Sequence, residues 1–398
     1  MDFSLNDQQL LIRHTVRQFM DTEVRPQVKD WERTDHFPLD AIRKLGALGC
    51  CGMLMPEEWG GPGLDTISYV LMLEEVSRVH TAMSTAIAVT NSAVQLPLLA
   101  FGTDEQKARY LKGLASGEIL GAFCLTEPAA GSDAAGIQAR AVCDGDNYKL
   151  SGTKTWVTNG SAAGVYIVFA KTHPELAGKG ITAFLVAPTF PGFQIGRHED
   201  KMGQRSSPSV EIILNDCLVP VCNRLGQEGQ GLRIALSALD GGRIGIAAQA
   251  VGLAQGALDE SAKFARSRKA FGKSIGEFQA IQWMLADMHT EIEAARGLLY
   301  YAAFLKDLSS SAGAPRAGVA HGSLDPSLRM GSSSSRAKLF ASEMVNRVVY
   351  KAVQIHGSQG YSRESEVERM YRDARVITIY EGTSEVQRTI IARDLLKF

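Results

Sequence analysis

The sequence lacks several features that would assign the protein to a class directly. It has 398 residues with 42 Lys plus Arg and 43 Asp plus Glu, so the net charge of -1 gives no broad field that would attract nucleic acid or an anionic membrane. No continuous apolar run approaches the roughly 18 residues that a membrane span requires. The N-terminus has no basic stretch followed by an apolar run, the pattern of a signal peptide. We therefore expect no nucleic-acid partner and no membrane partner.

The cysteines do not form a metal or redox motif. The 6 cysteines include no CxxC pair and no Cys/His group at zinc spacing, so no metal site is predicted. Cys50 and Cys51 are adjacent, and we interpret them as small buried residues in an apolar turn rather than as a redox pair. Reduced thiols of this kind are typical of a cytosol or an organelle matrix.

Common phosphate-binding and nucleophile motifs are absent as well. A nicotinamide enzyme normally carries GxGxxG between a strand and a helix, where backbone amides hold the pyrophosphate. Here Gly226, Gly229 and Gly231 follow a loop and lead into a helix, which favours a tight turn. The sequence also has no GxxxxGK[ST] loop, no HExxH and no GxSxG. Composition and pattern therefore indicate only an enzyme that binds a ligand.

Hydrophobic periodicity divides the chain into three domains. Residues 1–117 show helical spacing, with a possible capping box formed by Thr103 and Gln106. Residues 118–225 contain short β-branched or aromatic runs separated by turn residues, which predicts an antiparallel sheet or barrel. Residues 226–398 return to helical spacing, as on the buried face of a long bundle helix. The expected fold is an α+β multidomain arrangement in the order helical, β, helical.

The stretch 309–335 differs in composition from the rest of the C-terminal domain. It is rich in Ser, Gly, Ala and Pro, ends in a run of serines, and has few residues that could build a core. We predict that it is a flexible surface insertion between two helices of the bundle.

Four short strings identify a family. They are 123–133 (FCLTEPAAGSD), 156–160 (WVTNG), 268–272 (RKAFG) and 379–388 (IYEGTSEVQR). In this order and spacing they closely resemble the acyl-CoA dehydrogenase family, and its short-chain, butyryl-CoA type members most of all. The resemblance covers the whole chain except about 309–335. It implies an N-terminal helical domain, a central antiparallel β-barrel-like domain and a C-terminal four-helix bundle.

The resemblance implies that FAD is the cofactor. Backbone amides and hydroxyls such as that of Thr126 suit flavin oxygens and nitrogens because they donate hydrogen bonds without adding charge. Alone, Trp156 would be interpreted as a core aromatic; two residues before Thr158, it resembles the indole that packs on the flavin ring. The residues implied to bind the chain's own flavin are Phe123, Leu125, Thr126, Gly131, Ser132, Trp156, Thr158, Thr383 and Glu385.

A second group is implied to reach the flavin of a neighbouring subunit. Arg268 resembles the arginine that pairs with the pyrophosphate there, and a planar guanidinium suits that contact because it binds phosphate oxygens in a bidentate manner. Arg266 and Lys269 are better interpreted as solvated charges. This group consists of Arg268, Phe271, Gln279, Gln354, Ile355, Gly357 and Ser358. The resemblance therefore implies a homo-oligomer, expected to be a tetramer built as a dimer of dimers.

Glu381 is the implied catalytic base. One branch of the family places its glutamate at the position of Gly242, and the glycine found here leaves Glu381 as the only matching base. An apolar cavity should raise the pKa of its carboxyl group. The segment Asp240–Arg243 resembles a helix start along the CoA thioester, with Arg243 near the nucleotide end. The implied substrate contacts are Ser132, Asp240, Arg243, Tyr380 and Gly382.

The implied activity is FAD-dependent α,β-dehydrogenation of a short-chain, branched or cyclic acyl-CoA to the 2-enoyl-CoA. Glu381 would abstract the α-proton while hydride passes to flavin, and electron-transferring flavoprotein would accept the electrons. The stretch 84–102 should line the acyl pocket and contains no Arg or Lys, which favours a neutral acyl group. The implied location is the bacterial cytoplasm or, in a eukaryote, the mitochondrial matrix after a targeting segment is removed.

Two alternative functions remain open at this point. An acyl-CoA oxidase would use the same fold and base but would pass electrons to oxygen. More distantly, a non-catalytic DNA-binding flavoprotein of the same fold would show a basic face and would not need the base.

Overall fold

The structure is a computed structural model that describes residues 4–310 and 330–396. Its N-terminal part is helical. Capping boxes begin two of these helices, at Asn6 with Gln9 and, as the sequence predicted, at Thr103 with Gln106. The helices are α1 (Asp7–Phe19), α2 (Val28–Thr34), α3 (Leu39–Ala47), α4 (Thr66–Val79), α5 (Thr81–Ala88), α6 (Leu96–Phe101) and α7 (Asp104–Ala115).

The central part is one eight-stranded sheet with neighbours in the order β6-β7-β3-β2-β4-β5-β8, and with β1 paired to β4. Most pairings are antiparallel, but β4 pairs in parallel with both β1 and β2, so the sheet is mixed where the sequence predicted an antiparallel one. Parallel neighbours need a long connection, and β2 and β3 lie between β1 and β4 in the chain. The strands are β1 (Leu120–Cys124), β2 (Arg140–Asp144), β3 (Asn147–Thr158), β4 (Ala163–Lys171), β5 (Ile181–Val186), β6 (Phe193–His198), β7 (Ser209–Pro220) and β8 (Arg224–Leu225).

Long helices form the C-terminal part. α10 packs against α8, α9 and α12, and α4 of the N-terminal part packs along α8. A Cβ at Gly252 would lie 2.2 Å from the carbonyl oxygen of Glu74, so glycine at this position allows α8 and α4 to approach closely. The elements are α8 (Gly231–Ser267), the short strands β9 (Lys269–Ala270) and β10 (Lys273–Ser274), α9 (Gln279–Ser310), α10 (Met330–His356), α11 (Glu366–Ala374) and α12 (Ser384–Leu396).

The segment Thr81–Phe101 corrects the expectation that no apolar run approaches the length of a membrane span. It consists of α5, a π-helical stretch Val89–Gln95 and α6, and its length and composition would suffice to cross a membrane. Most of its side chains are buried, however, and it packs against α8 and β1. We therefore interpret it as a core helix. It places its polar side chains in the interior between the helical and β parts.

The predicted insertion at 309–335 is shorter than the sequence indicated. α9 continues to Ser310 and α10 begins at Met330, while residues 311–329 lie outside the described residues. The side chains of Ser332–Ser335 are buried, with Ser334 and Ser335 fully inaccessible. The prediction of a surface position for this serine run is therefore wrong. The serine-rich composition indicated a surface position, but serine is also small enough to fit where helices pack closely.

Replacing one buried serine tests this correction. Ser334→Lys should lower the free energy of unfolding by about 3 kcal/mol or more, because a long cationic side chain must enter a filled and desolvated position. The exposed Ser309 at the end of α9 provides the control, and Ser309→Lys should change stability by less than about 0.5 kcal/mol. Urea denaturation followed by circular dichroism measures both variants. If Ser334→Lys and Ser309→Lys had equal free energies of unfolding, the serine run would lie on the surface, as the sequence predicted.

Candidate active site

Glu381 lies in a left-handed turn just before α12. Its φ is +50° and that of Gly382 is +93°. A left-handed conformation costs a residue with a side chain roughly 1–2 kcal/mol, so neighbouring groups must hold it. The Nε2 atom of Gln387 donates to the carbonyl oxygens of Glu381 (3.3 Å) and Gly382 (3.0 Å), and the Nζ atom of Lys338 donates to that of Gly382 at 2.9 Å. These hydrogen bonds fix the backbone of the turn.

The carboxylate of Glu381 is buried against α8. Its Oε2 atom is inaccessible to solvent and has no hydrogen-bond partner among the described residues. A Cβ at Gly242 would lie 2.0 Å from this atom, so glycine at 242 is what leaves room for the carboxylate. Burial raises the pKa of Glu381 to about 7, while the positive charges of Lys338 and Arg243 oppose that rise. A carboxyl group of this pKa can accept a proton near neutral pH.

The segment Asp240–Arg243 lies inside α8, which begins at Gly231, so the predicted helix start is wrong. Gly242 is required by the space that Glu381 fills. Arg243 is only 5% exposed, forms an ion pair with Asp240, and lies close enough to Glu381 to influence its pKa. The structure therefore places Arg243 beside the candidate base, and its implied position near the nucleotide end of the substrate stays a prediction.

Tyr380 belongs to a closed set of four hydrogen-bonded side chains, which we call the Tyr380 network. Its hydroxyl donates to Oε1 of Gln249 (2.9 Å), and Nε2 of Gln249 donates to Oγ1 of Thr85 (2.8 Å). Oγ1 of Thr85 donates to Oε1 of Gln204 (2.7 Å), whose Nε2 reaches the Tyr380 hydroxyl at 3.4 Å. Sequence reasoning missed Gln204 and Gln249. A glutamine in the middle of an apolar helix, as at 249, is a signal that could have found one of them.

The predicted acyl-pocket stretch 84–102 approaches this site at one end. Thr85 is part of the Tyr380 network, whereas Asn91 donates to the carbonyl oxygen of Cys50 and Gln95 to that of Cys51. Cys50 and Cys51 are both buried, as predicted. Thr85 is therefore the member of this stretch that the structure brings to Tyr380, while Asn91 and Gln95 support the loop before α4.

Most residues assigned to the chain's own flavin lie on β1, on β3 or in the loop after β1, whereas Thr383 and Glu385 lie at the start of α12. The carbonyl oxygen of Thr126 accepts a hydrogen bond from the backbone of Thr155 at 2.9 Å, so Thr126 lies next to Trp156. Trp156 is 58% exposed and has a φ of +59°, at an irregularity in the pairing of β3 with β7. An exposed indole beside polar backbone and Thr158 fits a planar, polar-edged ring such as flavin. Phe123 and Leu125 lie on the stretch that contains Thr126, and Gly131 and Ser132 farther along it are exposed. Thr383 caps α12, and Glu385 in the first turn of that helix is exposed.

A buried ion pair supports this region and was also missed from the sequence. Lys154 of β3 is fully inaccessible, and its Nζ donates to Glu127 (2.6 Å) and to the carbonyl oxygen of Leu125 (3.2 Å). The carboxylate of Glu127 also accepts from the backbone amides of Gln138 and Ala139 at 2.6 and 3.0 Å. The pair therefore ties the loop of Thr126 to the strand of Trp156.

The residues assigned to a neighbouring flavin form a second, exposed group. Phe271 is 94% exposed with a φ of +51°, in the turn between β9 and β10, and Arg268 precedes it at the end of α8. The rings of Phe264 and His356 stack with centroids 4.3 Å apart, which joins the ends of α8 and α10. Gln279, Gln354, Gly357 and Ser358 are exposed, whereas Ile355 is buried.

Sequence models of three acyl-CoA dehydrogenase domains match the chain in order. The N-terminal domain matches residues 6–118, the middle domain 122–217 and the C-terminal domain 229–396.

Known proteins match over the full length as well. The short-chain specific acyl-CoA dehydrogenase of Clostridium acetobutylicum is 42% identical and covers 100% of both chains. The caffeyl-CoA reductase-Etf complex subunit of Acetobacterium woodii is 42% identical and covers 98% of this chain and 99% of that protein. The structure of butyryl-CoA dehydrogenase from Megasphaera elsdenii has a TM-score of 0.93, with 40% identity and 100% coverage of both chains.

The buried ion pair generates a prediction about stability. Lys154→Met should lower the free energy of unfolding by about 3–5 kcal/mol, because the carboxylate of Glu127 would remain buried without its counter-charge. Lys149→Met on the same strand removes the exposed pair with Asp144 and should cost less than about 1 kcal/mol. Chemical denaturation of the two variants gives the comparison. A loss no larger for Lys154→Met than for Lys149→Met would contradict the role assigned to the pair.

Proposed function

Since the chain belongs to the acyl-CoA dehydrogenase family of flavin-dependent oxidoreductases, as its sequence predicted, we propose that it oxidises the α,β bond of a short, branched or cyclic acyl-CoA with Glu381 as the base. The observation that carries the proposal is the buried Oε2 atom of Glu381, which lies against Gly242 without a hydrogen-bond partner among the described residues. A structural carboxylate of this burial would be paired.

In this proposal each group near Glu381 has a task. The carboxylate takes the α-proton, and the backbone N–H of Glu381 binds the thioester oxygen, where negative charge develops as the proton leaves. Burial makes the carboxylate a stronger base than an exposed one. The β-hydride leaves the substrate at the same bond, so a two-electron acceptor is needed. FAD supplies that acceptor when it is bound.

The exposed aromatic residues support both the cofactor and an oligomer. Trp156, Thr126 and Thr158 would hold the flavin ring of their own chain, and Ser132 its pyrophosphate. Arg268 and Phe271 would reach the flavin of a second chain. On α9, the exposed Trp283 (64%), Tyr301 (37%) and Phe304 (46%) present an apolar helix face that another copy would cover. We therefore propose a homotetramer.

The acyl group is proposed to be short and neutral. Segment Thr81–Phe101 has no Arg or Lys that would pair with a free carboxylate on the chain end. The Tyr380 network places uncharged amides and hydroxyls beside the base. Straight, branched and cyclic groups all satisfy this chemistry, and anaerobic bleaching of the flavin by a panel of acyl-CoA thioesters would rank them.

The electron acceptor is proposed to be electron-transferring flavoprotein. A relative 42% identical over nearly the full length is named as a subunit of a reductase-Etf complex. An oxidase that used oxygen would have the same base, and peroxide formation during turnover in air would identify it. A DNA-binding role is disfavoured by the net charge of -1 and by the intact Glu381 site. The same residues would also serve the reverse reaction, so activity should be assayed with both acyl-CoA and enoyl-CoA.

Glu381→Gln tests the base directly. Glutamine keeps the shape and the backbone amide but cannot accept the α-proton. The variant should bind FAD and acyl-CoA normally, while α-proton exchange into deuterated water and flavin bleaching slow by more than the ~10²–10⁴ that general base catalysis usually contributes. Mass spectrometry of the thioester and stopped-flow absorbance measure the two rates. An unchanged exchange rate would show that Glu381 is not the base.

Arg268→Ala tests the shared flavin site. FAD retention and oligomer mass should fall together, because the guanidinium would bridge two chains. Arg268→Lys should restore only part of both, since a point charge cannot reproduce the bidentate fork. Arg266→Ala is the control, an exposed arginine two residues away. The flavin-to-protein absorbance ratio and light scattering give the two values, and a fully loaded Arg268→Ala tetramer would refute the assignment.

A further inference from the structure

Lys338 is a buried cation beside the proposed active site that sequence reasoning did not identify. Its side chain on α10 is fully inaccessible, and its Nζ atom donates to the carbonyl oxygen of Gly382 at 2.9 Å. Burying an ammonium group is costly, and a methionine or leucine would fill similar volume without that cost. A lysine at this position therefore indicates a role that depends on its charge or its hydrogen bond.

The charge of Lys338 influences Glu381 without pairing with it. Within the described residues no ion pair joins the two side chains, although the carboxylate of Glu381 is the strongest charge acting on the ammonium group. The other charges that face Lys338 are Arg243, Glu343 and Glu385, and the phenols of Tyr69 and Tyr380 lie near the carboxylate. A direct ion pair with Lys338 would occupy the carboxylate oxygen of Glu381 that must accept a proton. The hydrogen bond from Lys338 to the carbonyl of Gly382 leaves that carboxylate oxygen available.

We propose that Lys338 is a positioning residue for Glu381: its ammonium group holds the carbonyl of Gly382, which fixes the left-handed turn and keeps the carboxylate against Gly242. This inference rests on the proposed function of Glu381 as a base. The second effect of the ammonium group is electrostatic. It stabilises the ionised carboxylate in a site where burial opposes ionisation, so the base is present at lower pH than it would otherwise be.

The fold does not depend on this hydrogen bond. The carbonyl oxygen of Gly382 also accepts from Nε2 of Gln387 at 3.0 Å, so a Lys338→Met variant leaves no backbone acceptor unsatisfied. Methionine also relieves the burial of a charge. We therefore expect Lys338→Met to fold and to bind FAD, which makes its kinetic behaviour interpretable.

The pH profile separates positioning from a merely structural role. The pKa of Glu381 is about 7 and that of Lys338, lowered by burial, is about 8. Loss of the ammonium group removes a charge that lowers the pKa of Glu381, so the acid limb of kcat/KM should move up by about one unit and the rate below about pH 7 should fall about tenfold. Above about pH 8 the wild-type lysine loses its proton, so the electrostatic difference should shrink.

Two further variants make the comparison specific. Lys338→Gln keeps a donor for Gly382 but has no charge, so its plateau rate at high pH should exceed that of Lys338→Met while its acid limb stays shifted. Lys112→Met, exposed on α7, is the control and should match the wild type at every pH. Flavin bleaching by a reactive acyl-CoA gives kcat/KM. The infrared band of the Glu381 carboxyl group is identified as the one that disappears in Glu381→Gln. Its change with pH gives the pKa of Glu381 without turnover.

Each outcome supports or overturns the inference. An upward shift of the acid limb and of the infrared titration in Lys338→Met, with FAD content and melting temperature maintained, supports it. An unshifted titration, or a rate loss equal at all pH values together with lower melting temperature, would assign Lys338 a structural role only. If none of the acyl-CoA thioesters reduced the flavin of the wild type, the proposed function would fail. The infrared titration would still decide whether Lys338 acts on Glu381.

Discussion

The site depends on the absence of a side chain at residue 242. Glu381 can bury its carboxylate only because α8 presents bare backbone there, where a Cβ would lie 2.0 Å from Oε2. The burial that raises the pKa of its carboxyl group depends on this contact, while hydrogen bonds from Lys338 and Gln387 hold the left-handed turn that carries Glu381.

A second constraint is the cost of burying charged groups, because this site brings several of them together in the interior of the protein. Arg243 and Lys338 are both nearly inaccessible and both oppose the rise in the pKa of Glu381. Neither neutralises the carboxylate by direct contact: Arg243 pairs with Asp240, and Lys338 binds a carbonyl group. The arrangement keeps the carboxylate ionisable near neutral pH, and among the described residues one of its oxygens has no hydrogen-bond partner. Under the proposed function, these buried charges serve reactivity more than stability.

Local strings predicted the family and the fold class, which are confirmed, whereas the roles that they assign to residues such as Glu381 and Trp156 stay predictions. They could not show groups whose role depends on contacts distant in the chain. Lys338 meets Gly382 across 44 residues, and Gln204 meets Tyr380 across 176. Nothing in the sequence next to these residues indicates such contacts. Composition failed at the run Ser332–Ser335, because a small polar residue can lie on a surface or fit a close helix contact equally well.

The Tyr380 network has a consequence for how the protein is made. Its members come from the N-terminal helices (Thr85), the loop between β6 and β7 (Gln204), α8 (Gln249) and the turn before α12 (Tyr380), so all three parts of the chain must dock before it closes. During synthesis Tyr380 leaves the ribosome after the other three members of the network, because it follows them in the chain. A nascent chain that has not yet reached Tyr380 therefore cannot complete the network. Under the proposed function, deprotonation of a substrate would then show that all three parts of the chain had already docked.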